Sequence, residues 1–315
     1  MPGRQDKHAP SAIVERRSAD GQVELLAESG LVDALVERGL LRDVPLHELC
    51  GLVQPQLAGR GRPVLLELRG ARVVAKAMLR GGLFGALLGA ALGDRFVGST
   101  RVRALVDLLR SLNERGVPTP RLAFARVRRG AAGLVRLDVA THEVAGAQDG
   151  HAFLASNPRP SLRREAVRAA ARSVRALHDA GVDHADLNVT NLLVRARPPP
   201  ETFVEAFVID LEKSRRFDPL PRSAAVQNLA RLARSAAKLG LIGTALSRTD
   251  LVRFARAYAG QEWSRWFTET RRRFLALLPL HRIHWAWRGR GLTRRADGRG
   301  SPAPRSTTRA TLGSP

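Results

Sequence analysis

The octet His184-Ala185-Asp186-Leu187-Asn188-Val189-Thr190-Asn191 holds two of the chain's five asparagines beside a histidine and an aspartate. A carboxylate followed five residues later by an asparagine on a loop suits phosphoryl transfer. The carboxylate accepts the proton of an attacking hydroxyl, and the amide oxygen ligates a magnesium ion on a nucleotide. That chemistry also needs a fully charged metal ligand. Asp210 is placed to supply it, because it closes the apolar run Phe207-Val208-Ile209, where a rigid strand can hold a carboxylate against a triphosphate. Taken alone, an aspartate closing a buried strand is more often a turn former. Its place 19 residues after Asn191, across what reads as a hairpin, favours the metal.

These residues need elements to position them. Val64 to Leu68 and Arg72 to Met78 flank Arg69-Gly70-Ala71, which predicts two antiparallel strands joined by a glycine turn. Val102, Leu105, Val106, Leu109 and Leu112 recur at helical spacing, predicting a helix over 101–115 that ends at Gly116 and the Pro118/Pro120 pair. Leu134 to Val139 reads as a strand and Gly146 to Pro160 as a connector. Ser161 to Asp179 reads as a helix capped by Ser161, with an arginine stripe (Arg164, Arg168, Arg172, Arg175) whose ordinary meaning is a solvated face. Strands over 192–194 and 204–209, separated by Pro198-Pro199-Pro200, flank Asn191 and lead to Asp210, and 224–278 reads as helical. The N-terminal part is thus mostly strand with one helix, and the C-terminal part mostly helix. Residues 1–50 are expected to be a partly helical extension and 288–315 a disordered basic tail.

The 315 residues carry 52 basic and 29 acidic side chains, a formal charge of +23. Only four of the basic residues are lysines (Lys7, Lys76, Lys213, Lys238), so 48 are arginines, a bias that a GC-rich genome produces without any nucleic-acid partner. Nucleic acid is therefore an unlikely partner, whereas attraction to anionic surfaces stands. The lone Cys50 permits no internal disulfide and reads as a small buried hydrophobe. The longest apolar run, Leu83 to Leu92, is far short of the ~20 residues that cross a bilayer. The N-terminus has no apolar region behind its charges, so a cytoplasmic location is expected. His178, His184 and Asp186 are not read as a zinc cluster, and His281 and His284 more readily edge an aromatic patch with Trp285 and Trp287. From Arg282 on, eight arginines against Asp297 alone resemble a membrane-surface segment, although a solubilising tail is the default.

HADLNVTN followed by VIDLEKSR resembles the catalytic loop and metal-binding aspartate of the protein-kinase-like fold, with wording closest to the lipopolysaccharide kinase family and, within it, the kinases of 3-deoxy-D-manno-octulosonic acid (Kdo). Lys76-Ala77-Met78-Leu79-Arg80-Gly81-Gly82-Leu83, Gly93-Asp94-Arg95-Phe96, the Gly116-Val117-Pro118-Thr119-Pro120 turn and Asp138 to Ala147 resemble further segments of that family in order. The similarity runs over roughly residues 58 to 240. It implies an α+β, two-lobed protein-kinase-like fold: a small antiparallel β-sheet N-lobe (51–148) and a mainly helical C-lobe (149–287). It implies ATP and Mg²⁺ as cofactors. By resemblance, Lys76 pairs with the α- and β-phosphates, Asp186 is the catalytic base, and Asn191 and Asp210 hold the metal. His184 shapes the loop, Asn188 supports transfer, and Glu143 lies in the hinge beside the adenine, acting chiefly through backbone. Gly59 and Gly61 read either as the turn over the phosphates or as a linker turn. Lys76 could also be one exposed lysine on a strand, but the rarity of lysine here weighs toward function.

The sequence departs from the fold's pattern at one place. The first N-lobe helix normally supplies a glutamate that holds the lysine, and alignment puts Leu105 there. Asp107, two residues on, lies about 200° around the helix axis. The expected function is ATP-dependent phosphorylation of a hydroxyl of Kdo or another inner-core sugar of lipopolysaccharide. The partners would be Kdo-lipid A or a related core and an anionic membrane surface, and the location peripheral on the inner membrane of a Gram-negative bacterium. The alternatives are an atypical protein kinase, for which the short path from Asp210 to Pro219-Leu220-Pro221 leaves little room, and a catalytically weak kinase-like module that binds membrane or polyanion.

Overall fold

A computed structural model describes residues 12–49, 52–53, 63–78, 97–130, 135–197 and 203–276. Gly59, Gly61, Cys50, the 79–96 segment, Pro198-Pro199-Pro200, the residues from 277 to 287 and the 288–315 tail lie outside the described residues.

Seven strands form one antiparallel sheet: β1 (Ile13–Arg17), β2 (Val23–Glu28), β3 (Leu52–Val53), β4 (Val64–Leu68), β5 (Ala71–Ala77), β6 (Leu122–Arg129) and β7 (Val135–His142). Their spatial order is β1-β2-β6-β7-β5-β4-β3. The β4–β5 hairpin turns at Arg69 and Gly70, both with positive φ (48° and 82°). That is the requirement of the tight two-residue turn that matches strand twist. Within the expected 1–50 extension, residues 13–28 do not stand apart from the sheet. β2 pairs with β6, and helix α1 (Val32–Glu37) with the turn Leu46–Glu48 covers the sheet's outer face in a cluster with Leu25, Leu66, Val73, Phe124 and Ala140.

The other face packs on helix α2 (Val97–Glu114), whose Val102, Leu105, Val106, Leu109 and Leu112 are the apolar stripe read from the sequence. The same cluster continues into the helix-rich half through Val174, Leu177, Leu187, Val208 and Leu211, so one core spans both halves. Alternation along β5 sends Val73 and Ala75 to the outer cluster and Lys76 to the opposite face.

The expected connector carries its own structure: β8 (Ala147–Asp149) and helix α3 (Gly150–Ala155), capped by Asp149, which accepts the N–H of His151 and Ala152. Helix α4 (Pro160–Asp179) starts one residue earlier than expected, with Pro160 rather than Ser161 opening it. Proline's fixed φ and missing N–H suit that first position. β9 (Val182–Asp183) leads into the loop, and β10 (Leu192–Arg197) and β11 (Phe203–Val208) form the expected hairpin, with β8 on its edge. β12 (Arg215–Arg216) pairs back with β9, and helices α5 (Arg222–Lys238), α6 (Arg248–Ala259) and α7 (263–276) follow. Among the described residues, no helix is long and apolar enough to cross a membrane.

Candidate active site

The site is tied together by backbone. The Ile209 N–H donates to the Asn191 carbonyl at 3.0 Å, and the Ile209 carbonyl accepts Nε2–H of His184 at 2.9 Å. Nδ1 of the same ring accepts the Asp186 N–H at 3.2 Å, which fixes the tautomer. His184 is fully buried, and burial pulls its pKa below the usual imidazole value, so the ring is neutral, as two opposed hydrogen bonds require. These two bonds tie the loop's backbone to the end of β11.

Asn191 donates Nδ2–H to the Asp186 carbonyl at 2.9 Å, which spends its nitrogen and leaves the amide's oxygen end, the end a metal needs. Asn188 caps the turn Val189–Asn191: its Oδ1 accepts from the N–H groups of Thr190 and Asn191 and from the Thr190 hydroxyl, while its Nδ2 donates to the Asp186 carbonyl. The structure therefore employs Asn188 inside the loop. Asp186 is exposed at the loop's outer edge, and its carboxylate has no hydrogen-bond or ion-pair partner among the described residues. A proton acceptor for an incoming substrate needs that freedom.

Asp210 sits just past β11 with φ 69° and ψ 46°. This left-handed conformation is one that aspartate tolerates better than most residues, and such strain is concentrated at functional sites. Lys76 Nζ donates to Asp210 Oδ1 at 2.5 Å and lies 2.6 Å from Glu212 Oε1. Burial alone would lower the Lys76 pKa, but Glu212 and Asp210 outweigh it and raise it. The hydrogen bond from Glu212 and the adjacent ammonium hold Asp210 well below the usual carboxylate range, against its own burial. Burial and the neighbouring Asp210 push Glu212 up to about 7. Asp210 is thus held ionised, as a metal ligand must be, while the Lys76 ammonium draws Glu212 back toward its charged form.

Sequence reasoning passed over Glu212. The signal was in the VIDLEKS stretch: an acid two residues beyond Asp210, across the buried Leu211. It also answers the missing helix acid, since Leu105 is packed into the core and Lys76 finds its carboxylates after β11 instead. Glu143 follows β7, and its carboxylate reaches back to Arg72 Nε at 3.1 Å while its N–H donates to the Arg72 carbonyl. Its side chain is thus tied to β5, and the backbone of residues 143–146 forms the crossing between the two halves. The Pro118 carbonyl accepts the Val208 N–H at 2.9 Å, locking the turn after α2 onto the strand that carries Asp210.

The profile described as the lipopolysaccharide kinase (Kdo/WaaP) family matches residues 55–258, well over half of the chain and all of the site just described. The chain belongs to this family. Lipopolysaccharide kinases are phosphotransferases acting on a sugar hydroxyl, and that reaction class is the chain's. Among curated relatives, a 3-deoxy-D-manno-octulosonic acid kinase of Vibrio cholerae is 31% identical over 187 residues, covering 59% of this chain and 74% of that protein. The kinase of the same name from Actinobacillus succinogenes is 32% identical over 202 residues, covering 61% and 79%. A solved structure of WaaP in complex with acyl carrier protein is 24% identical and covers 72% of this chain and 88% of that one, with a TM-score of 0.48.

Magnesium is implied by the reaction class, and the donor set suits it. Among the described residues, no group of three or more His, Cys, Asp or Glu gathers to hold a metal ion unaided. The ionised Asp210 carboxylate and the Asn191 amide oxygen are hard oxygen donors, the kind that hold such an ion when substrate phosphates supply its other ligands.

Proposed function

We propose that this kinase transfers the γ-phosphate of ATP to a hydroxyl of Kdo in the inner core of lipopolysaccharide, at the cytoplasmic face of the inner membrane of a Gram-negative bacterium. On this reading the sheet-bearing part, β1 and β2 included, and the helix-rich part from residue 149 are the two lobes of a protein-kinase-like scaffold. The nucleotide lies between them, its adenine along the 143–146 crossing. Lys76 binds the α- and β-phosphates, Asp186 accepts the proton of the acceptor hydroxyl, and Asp210 and Asn191 Oδ1 would hold magnesium, with His184 and Asn188 setting the loop. Magnesium, when bound, neutralises charge that builds on the phosphates. The net charge of +23 draws such a protein toward an anionic glycolipid in an anionic leaflet.

The observation that carries this reading is the Lys76–Asp210 bridge. Two residues separated by 134 positions meet at 2.5 Å, and Asp210's strand is tied through Ile209 to both His184 and Asn191. Leu105 does not favour a catalytically weak module, because Lys76 is held by two carboxylates without the helix acid. The test is incubation of the purified chain with Mg-ATP and Kdo-lipid A, with detection of phosphate on the glycolipid. Labelling of protein substrates in place of glycolipid would point to an atypical protein kinase, and absence of nucleotide binding to a non-catalytic module.

A further inference from the structure

Lys76 contacts two carboxylates, and the proposed function assigns only one of them, Asp210, to the metal. A lysine that presents its ammonium to nucleotide phosphates is a flexible point charge on a four-carbon stem, so a fixed counter-carboxylate has to limit where it points. Once Asp210 serves magnesium, a second acid is required. Helix α2 cannot bring it: Leu105 is 6% exposed in the core, and Asp107 is exposed to solvent.

Glu212 has the right placement. Its Oε1 lies 2.6 Å from Lys76 Nζ, and its side chain is 13% exposed against 37% for Asp210. It follows the buried Leu211 (4% exposed), which anchors the turn Leu211–Lys213 in the core shared with β11 and α2. The more buried acid is the one that can stay on the lysine, and the more exposed one is free to meet a ligand entering from solvent. We propose that Glu212 is the positioning residue for Lys76, taking the part that an acid on the helix plays elsewhere and keeping the ammonium aimed at the phosphates while Asp210 serves the metal. This rests on the nucleotide-binding reading of Lys76 and Asp210.

The experiment measures glycolipid phosphorylation by the full chain as ATP and Mg²⁺ are varied, for wild type, Glu212→Gln, Glu212→Asp, Lys76→Met, the Lys76→Met/Glu212→Gln double variant and Asp107→Asn. A misaimed lysine is expected to lower kcat on the order of 10²-fold in Glu212→Gln. The KM for ATP should change less than kcat, and the Mg²⁺ requirement should not change. Glu212→Asp, which keeps the charge, should retain more activity than Glu212→Gln, and Asp107→Asn should match wild type. Because Glu212 acts through Lys76, the double variant should be no slower than Lys76→Met alone. Multiplied losses in the double variant, a raised Mg²⁺ requirement in Glu212→Gln, or equal rates for the Gln and Asp variants would each overturn the assignment. The Gln-to-Asp comparison and the cycle are read on variants whose thermal melts match wild type. Should Glu212→Gln not fold, Glu212→Asp against Lys76→Met/Glu212→Asp carries the same cycle. A wild type that neither binds Mg-ATP nor phosphorylates the glycolipid defeats the functional reading itself, an outcome distinct from an active wild type with an indifferent Glu212.

Discussion

Nδ1 of His184 accepts the backbone N–H of Asp186 at 3.2 Å, while Nε2–H of the same ring donates to the Ile209 carbonyl at 2.9 Å. One buried imidazole thus sets the spacing between the proposed base and the strand end that bears Asp210. His184→Ala leaves both backbone groups unpaired in a dry interior and is expected to cost about 3 kcal/mol, together with a loss of kcat. In His184→Asn the amide oxygen can replace Nδ1 but nothing reaches Ile209, so it should fall between wild type and Ala. Thermal melts and turnover of the two variants check this; equal stability of all three proteins would refute it.

The exposed Asp186 carboxylate and the lysine-bound Asp210 are expected to fail differently. Asp186→Ala should lower transfer by about 10³-fold, within the range for loss of a general base, while Mg-ATP still binds. Asp210→Asn should lose Mg-ATP binding as well, because the charged ligand is gone. Titration calorimetry with Mg-ATP beside turnover separates the two, and retained activity in Asp186→Ala would show the base to be misassigned.

Much of this site was legible in the chain. Short motifs on tight loops encode their own geometry: the β4–β5 hairpin follows from Arg69-Gly70, and the α2 stripe from Val102, Leu105, Val106, Leu109 and Leu112. The residues that escaped notice act through partners distant in sequence. Glu212 gains meaning only when β5 brings Lys76 to it, and residues 13–28 become part of the sheet because Val23 to Ala27 pair with β6 a hundred positions on. Local spacing carries no record of such pairings. In the 146–160 stretch, Gly, Asn and Pro suggested a connector. There Asp149 caps a short helix whose Phe153 is buried with Ala166 and Val194, so tertiary contact outweighed composition.

Between β6 and β7 lies a buried ion pair. Arg126, with no exposed surface, donates to Asp138 Oδ2 through Nε at 2.8 Å and Nη2 at 2.6 Å, and through Nη2 to the Val44 carbonyl at 3.0 Å, fastening the segment after α1 onto the sheet. Arg126→Met leaves Asp138 in the interior with Arg128 alone, whose Nε reaches the same Oδ2 at 3.3 Å, and should cost about 3 kcal/mol. Replacing Asp138 by Leu in the same chain removes that charge and leaves Arg128 with Asp43 at 3.0 Å, so it should recover part of the loss, since apolar substitutes for a buried pair are often neutral. Denaturant melts of the single and double variants test this; a double variant less stable than the single would contradict it.

Acid should loosen the helical half. His178 on α4 is buried, with Nδ1 2.7 Å from the Tyr258 hydroxyl, and burial pushes its pKa down to about 4. The unfolded chain takes up this proton near pH 6.5 and the folded one does not. The stability is therefore full above pH 6.5, falls as the pH drops toward 4, and falls no further from this group below that. The loss corresponds to about 3 kcal/mol. His184, also depressed by burial, adds in the same direction. His178→Gln should be less stable at pH 7.5 yet show a flatter decline between pH 6.5 and 4, measured by thermal melts across that range. An unchanged slope would place the acid sensitivity elsewhere.

Gly181 separates α4 from β9, with φ at 82°, and its carbonyl accepts the Phe217 N–H at 2.7 Å. A Cβ at this position would stand 2.0 Å from the Phe217 carbonyl oxygen, a backbone atom held by the β9–β12 pairing and unable to rotate aside. Gly181→Ala therefore combines a left-handed backbone unfavourable to alanine with a collision that requires β9 and β12 to part. It is expected to cost more than about 2 kcal/mol. The effect should also reach the chemistry, because β9 runs directly into His184 and Asp186. Turnover at a temperature well below the melt should fall in Gly181→Ala while Gly70→Ala, which meets no atom within 4 Å at an exposed turn, loses stability without losing kcat. If both variants kept wild-type kcat, the β9–β12 pair would have no part in holding the loop.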